Sequence, residues 1–296
     1  MLLEIAVADA YGVCFESCDK DEITPNNTLE YHENMPPSFI KRGCYSDDAQ
    51  MSLAIAECVL YDDIWTRESV AARILLAFKR DKRRGYTGPF YNILKEVKTA
   101  EELLATIDGK SKKSGAAMRS HSCGLYPDLN EVIERTIIQA NVTHNTWIGR
   151  ESAICVAMMT HYFAYKLGPK DHLVEWLRDH RFADKLHSPH SFEIAGDTVT
   201  CWDPSKNRVS TFGWDCIEAA LYAIESSNSM KQILWQCCEY AGDTDTVAAI
   251  ALGAASWSLE IIQNLPINLI SDLEDKKFGR TYLEGLDLEL RKKFSL

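Results

Sequence analysis

The sequence predicts an all-α protein, a compact single-domain helical bundle spanning residues 1–296. Three observations carry that expectation. Apolar residues recur at helical spacing in one stretch after another. No alternation of strand and helix marks a parallel sheet. Neither an internal repeat nor a linker of shifted composition divides the chain. With 46% hydrophobic and 25% charged residues, it has the make-up of an ordinary globular protein with a substantial core.

Residues 2–16 are apolar and alanine-rich, as in a helix packed closely against its neighbours; Asp9 inside this run must lie at the helix edge or be paired, and Glu16 ends it. Residues 17–43 are polar and turn-rich and read as a loop bordering a site. Ser46-Asp47-Asp48 then opens an apolar helical pattern, and Asp62-Asp63 reads as the turn and cap before a second helix over 68–76. Residues 85–89 form a loop and 90–107 are helical again. The small, basic stretch 111–120 is either a solvated linker or a loop whose amides and hydroxyls cradle phosphate.

Helices follow over 128–141 and 151–167. Between them stands Thr143-His144-Asn145, where a histidine ordinarily caps a helix or serves as a hydrogen-bonded structural residue. A further helix from 170 runs into a polar stretch holding His187 and His190, whose spacing matches no zinc signature. Residues 198–202 suggest one short strand. Two helices, 216–224 and 230–240, lead to Gly242-Asp243-Thr244-Asp245-Thr246 and the apolar run 247–257. After a break at Asn264-Leu265-Pro266, two short helical pieces finish the chain.

Charge narrows the function. Asp and Glu number 43 against 32 Lys and Arg, a net charge of −11, which disfavours a nucleic-acid partner and suits a site that recruits cations. The longest apolar run falls short of the roughly 20 residues that span a bilayer, and no basic segment precedes the first apolar stretch. A cytoplasmic protein with no membrane partner is expected. The ten cysteines are mostly scattered singly, with no CxxC, and read as buried reduced thiols.

Two acidic clusters, Ser46-Asp47-Asp48 and Asp243-Thr244-Asp245-Thr246, each stand where a helix begins, far apart in the chain. Asp and Thr belong at helix starts as caps, because their oxygens accept hydrogen bonds from the unpaired amides of the first turn. Yet three oxygen donors within four residues exceed what one cap needs, and Gly242 leaves room for a ligand to approach the backbone. Hard divalent cations such as Mg²⁺ favour such oxygen clusters.

These residues resemble the ADP-ribosylglycohydrolase family over almost the whole chain and in motif order. The likeness runs through Asp9-Ala10-Tyr11-Gly12 with Glu16, Ser46-Asp47-Asp48-Ala49-Gln50-Met51, Gly115-Ala116-Ala117-Met118-Arg119, Thr143-His144 and Gly242-Asp243-Thr244-Asp245-Thr246. The resemblance implies a helical fold with two Mg²⁺ ions, or Mn²⁺ in their place, at the mouth of an ADP-ribose cleft. It implies that Ser46, Asp47, Asp48 and Asp245 ligate one ion, and Glu16, Asp243, Asp245 and Thr246 the other. Ser111, Ser114, Gly115 and Met118 would line the diphosphate and distal-ribose pocket, and His144 would touch the ligand. Glu16 or Asp48 would handle the proton.

The implied activity is hydrolysis of the bond between ADP-ribose and a protein side chain, with arginine the first expectation; the partners are then an ADP-ribosylated protein and ADP-ribose. A competing reading is a non-catalytic ADP-ribose binder, or an immunity-type protein that blocks a transferase. Two departures stand out: Lys113-Ser114-Gly115 replaces the family's usual Gly-Asn-Gly, where Lys112 and Lys113 suit an anionic diphosphate, and Ala241 replaces a usual second glycine, a small change.

Overall fold

The computed structural model describes residues 1–16, 18–32, 40–61, 64–180 and 208–296. Its first helix, α1 (Leu2–Gly12), is buried along most of its length. The helix is not capped from within. Its first amides are met instead by Asp287, near the far end of the chain, which accepts from the Leu2 amide at 3.0 Å and lies 3.2 Å from the terminal ammonium.

The predicted loop over 17–43 contains a short helix, α2 (Lys20–Asn26). A capping box builds it, with the Asp19 amide donating to Glu22 Oε2 at 2.9 Å. Pro25 lies inside the helix's last turn and Asn27 caps its end. Next come α3 (Asp47–Tyr61) and α4 (Arg67–Arg80). Asp62 and Asp63, expected as a turn and cap, lie outside the described residues; α4 is capped by Thr66, whose hydroxyl accepts from the Ser69 amide.

The single helix expected over 90–107 is two, α5 (Gly88–Glu96) and α6 (Ala100–Thr106), because Thr99 caps a new start. Residues 111–120 are no solvated linker. They carry a 3-10 turn, Ser114–Ala116, with Ser114 buried, and a second such turn, His121–Leu125, follows. Then come α7 (Leu129–Ala140), capped by Asp128, and α8 (Trp147–Ala164), capped by Thr146. The helix expected from 170 is a 3-10 turn, Lys170–His172, running into α9 (Leu173–Asp179). The strand expected over 198–202 and the stretch with His187 and His190 lie outside the described residues.

Beyond these, α10 (Gly213–Ser226) and α11 (Met230–Glu239) precede α12 (Thr244–Ala255), all of whose residues are buried. The chain ends in α13 (Ile267–Ser271) and α14 (Arg280–Phe294). Among the described residues, only isolated bridges occur in place of strands, so the all-α expectation holds. No helix there is long and apolar enough to cross a membrane. The cysteines among the described residues are all free, most of them buried.

The core explains the apolar character of α12. It packs most extensively against α1 and also touches α3, α8, α10 and α11. A helix enclosed on all sides is apolar all round, whereas α7, at the surface, keeps an amphipathic pattern. The small residues Ala6, Ala8 and Ala10 on one helix and Ala248, Ala249 and Ala251 on the other are fully or almost fully buried.

Two consecutive residues with left-handed backbone, Ala241 (φ 58°) and Gly242 (φ 86°), turn the chain from α11 into α12. Gly242 does not serve ligand approach as expected. A side chain there would begin 1.9 Å from the carbonyl oxygen of Val209, so the glycine makes room for the protein's own backbone. Nor is alanine at 241 a small change, because a left-handed conformation strains any residue with a Cβ.

Candidate active site

The packing of α1 against both α3 and α12 brings together three acidic segments that the sequence keeps apart. Glu16 follows the end of α1, Asp47 and Asp48 open α3, and Asp243, Asp245 and Thr246 stand at the start of α12. Thr244 ties the junction by donating its hydroxyl proton to the Gly12 carbonyl at 2.8 Å. All six acidic-cluster residues just named border one cavity of about 620 Å³.

Ser111, Ser114, Gly115, Met118 and His144 border the same cavity. Of the predicted site residues, Ser46 alone is not on its wall; it stands behind, with Oγ 3.4 Å from Asp47 Oδ1. A further side is apolar and aromatic, built by Tyr86, Pro89, Phe90, Ile93 and Ile107. The sequence offered no signal for that wall, since apolar residues at helical spacing look the same whether they face a core or a cavity.

The hydrogen bonds count against capping for Asp47, Asp48 and Asp243, whereas Asp245 Oδ1 does accept from the first-turn amide of Thr246 at 2.9 Å. The amides of Ser46 and Ala49 are met by Asp9, which accepts from Ser46 through both oxygens at 2.9 Å and from Ala49 at 2.8 Å. Asp9 is thus the paired acid that its place in an apolar run required, and it frees Asp47 and Asp48 from capping. Asp243 occupies the cap position of α12 without capping through its side chain. Its Oδ2 accepts from Ser114 Oγ at 3.0 Å and from Cys216 Sγ at 3.2 Å. Cys216 was invisible as a site neighbour in the sequence.

Burial and crowding dominate the electrostatics. Asp47, Asp48 and Asp245 are all pushed well above the usual carboxylate range, first by burial and next by a neighbouring carboxylate: Asp9 for Asp47, Asp245 for Asp48 and Glu16 for Asp245. Asp243 is raised by burial against the pull of its two donors, and Glu16 by burial and by Asp243, with Lys113 opposing. Buried carboxylates that raise one another in this way oppose each other's ionisation unless a positive charge compensates them.

The donor set fits hard divalent cations. Asp48 Oδ1 is buried without a hydrogen-bond partner, and a buried carboxylate oxygen left that way is costly unless a cation or a proton satisfies it. Among the described residues, no three His, Cys, Asp or Glu side chains are gathered into a ready-made cage. A hard cation such as Mg²⁺ takes oxygen ligands and keeps several waters, so it does not need a closed all-protein cage.

His144 is neither a cap nor remote from the site. Thr146 caps α8, leaving the buried His144 ring on the cavity wall. Behind it stand Thr143 and the buried Arg119, which also reach the cavity.

An all-helical fold brings acids from three segments together on one cleft, and comparison with known proteins gives the class. The sequence profile of the ADP-ribosylglycohydrolase family matches residues 1–295. The chain belongs to that family, which places it among hydrolases of ADP-ribose linkages. It is 26% identical to the ADP-ribosylhydrolase ARH3 of Xenopus tropicalis, over 96% of this chain and 93% of that one. It is 21% identical to the ADP-ribosylarginine hydrolase Tri1 of Pseudomonas putida, over 90% of this chain and 71% of that one. Among solved structures, one titled ADP-ribosylglycohydrolase-related protein complex superposes with a TM-score of 0.74 at 20% identity, covering 100% of this chain and 96% of its own, a likeness of fold.

Proposed function

We propose that the protein is a Mg²⁺-dependent hydrolase of the N- or O-glycosidic bond between ADP-ribose and a protein side chain, with ADP-ribosylarginine as its first candidate substrate. The observation that carries this reading is the convergence of Glu16, Asp47, Asp48, Asp243 and Asp245 on one cavity whose other walls are a small-residue loop, His144 and an aromatic face. A cavity of about 620 Å³ falls within the roughly 300–1,000 Å³ typical of small-molecule sites.

Asp47, Asp48 and Asp245 would hold one ion, with Ser46, expected as a fourth ligand, standing behind Asp47 off the cavity wall, and Glu16, Asp243, Asp245 and Thr246 would hold the other. When bound, Mg²⁺ or Mn²⁺ would orient ribose hydroxyls and a water and offset charge that develops as the bond breaks. The protein's own groups do the rest. Ser111, Ser114, Gly115 and Met118 shape the wall for the diphosphate and distal ribose, and Lys113 brings a positive charge to that wall. The aromatic and apolar side suits a planar base.

Hydrolysis adds hydroxide to the anomeric carbon and a proton to the departing side chain. That proton needs a carboxyl able to exchange with solvent. Glu16 is only partly buried, whereas Asp48 is 3% exposed, so Glu16 is the better proton carrier and Asp48 the better ligand.

A panel of arginine-, serine- and O-acetyl-linked ADP-ribose substrates, with and without Mg²⁺, tests the reading. Release of ADP-ribose from at least one linkage only with the metal supports it, and release from the arginine linkage supports the finer assignment. Tight ADP-ribose binding with no turnover on any linkage would instead favour a binder.

A further inference from the structure

Along the cavity wall and behind it a row of buried polar groups is joined end to end. Arg119 is 1% exposed, and its Nε donates to Gln139 Oε1 at 2.6 Å. Its Nη2 donates to the Gln139 carbonyl at 2.8 Å and to Thr143 Oγ1 at 2.9 Å. Thr143 Oγ1 in turn lies 2.6 Å from His144 Nδ1. The row is anchored at its other end, where the Gln139 amide nitrogen donates to the Ala116 carbonyl at 3.1 Å and to Ser120 Oγ at 2.8 Å.

Donor and acceptor counting orders the protons. A guanidinium only donates, so Thr143 Oγ1 accepts from Arg119 and keeps one proton to give. Among the described residues its other side-chain partner is His144 Nδ1, and a proton on that nitrogen would leave the buried hydroxyl's own proton without an acceptor. A ring nitrogen that accepts carries no proton, so in the neutral ring the proton sits on Nε2. The ring stays neutral because burial, reinforced by the charges of Arg119 and Lys113, pushes its pKa down to about 3. Gly115 gives the ring its place: a side chain there would begin 2.9 Å from Cε1 and 3.2 Å from Nε2.

We propose that Arg119 and Thr143 are positioning residues that lock His144 in its Nε2–H tautomer, so that the cavity presents a fixed, neutral donor to a ligand oxygen that accepts, of the phosphate or ether class. The tautomer belongs to the protein alone; only the ligand used below rests on the reading of the site as an ADP-ribose site. Failure of one is therefore distinguishable from failure of the other.

Long-range proton–nitrogen correlation spectra of the full chain labelled with ¹⁵N-histidine, recorded without ligand, read the tautomer, with the His144 signals assigned by their loss in His144→Gln. The expected result is a protonated Nε2 and a bare Nδ1, unchanged from pH 8 to pH 5. Thr143→Val removes the hydroxyl at constant shape. It should average or reverse the tautomer and weaken ADP-ribose binding about tenfold, the scale of a hydrogen bond lost from a buried site. Thr143→Ser should restore both. A wild-type His144 protonated on Nδ1, or exchanging between tautomers, overturns the proposal even if the Val variant does not fold, as does a Val variant with unchanged signals. The expected spectra without any ADP-ribose binding would uphold the tautomer lock and count against the ADP-ribose reading.

Discussion

Gly12 meets Asp245 so closely that a side chain on Gly12 would begin 2.6 Å from the Asp245 Cα and 2.8 Å from its amide nitrogen. The atoms in the way are backbone and cannot rotate aside. This contact sets the distance between α1, which leads to Glu16, and the first turn of α12, so it calibrates the acidic cavity. Gly12→Ala should destabilise the fold by about 1–3 kcal/mol, the usual cost of overpacking. It should also depress kcat by displacing Asp245. Chemical denaturation alongside turnover checks this, and a variant with unaltered stability would mean the two helices are free to shift apart.

A strained residue offers the opposite test. Ala241 holds a left-handed backbone at φ 58°. Glycine removes a strain of about 1–2 kcal/mol at such a position, against about 0.4–1 kcal/mol of extra freedom in the unfolded chain. Ala241→Gly should therefore stabilise by about 1 kcal/mol or less and leave the denaturation slope unchanged. A loss of stability would show that the surroundings already relieve the strain.

Asp48 sets function against stability. Its buried, unpartnered Oδ1 lies among other carboxylates. Asp48→Asn should abolish turnover while raising the melting temperature of the metal-free protein, because the folded chain no longer has to keep protonated a buried carboxyl that the unfolded chain ionises. Thermal unfolding in excess chelator measures this. A lower melting temperature than wild type would mean that Asp48 makes a structural contribution beyond the metal site.

A second buried histidine gives a pH signature. His121 bonds Thr160 Oγ1 at 2.8 Å, and burial pushes its pKa down to about 3. The unfolded chain takes up a proton near pH 6.5 that the folded chain refuses, so this group's contribution to stability is lost as pH falls from about 6.5 toward 3. In His121→Gln that loss is absent. The stability gap between wild type and variant should narrow by about 2 kcal/mol between pH 7 and pH 5. A gap that stays constant would place His121 in contact with solvent.

Much of this architecture was legible in the chain because helical periodicity and caps are local. The short helix 20–26 was hidden by Pro25 and its asparagines, and the break before Ala100 by a threonine cap inside a helical stretch. The acidic clusters were legible because oxygen donors exceeded the needs of a cap. What counts against the cap reading of Asp47 and Asp48 is Asp9, which meets the amides of Ser46 and Ala49 from another helix, a contact that only packing creates. The aromatic wall, Cys216 and the row behind His144 likewise depend on tertiary contact and carry no local sign.

The central claim is that the converging carboxylates hold divalent cations on which turnover depends. The most direct measurement is ADP-ribose release by the purified protein, stripped with chelator and then titrated with Mg²⁺, beside Asp245→Asn, which removes a ligand assigned to both ions. The account predicts no release when stripped, recovery with added Mg²⁺, and none at any Mg²⁺ concentration in the variant. Steady turnover by the stripped wild-type protein would contradict it.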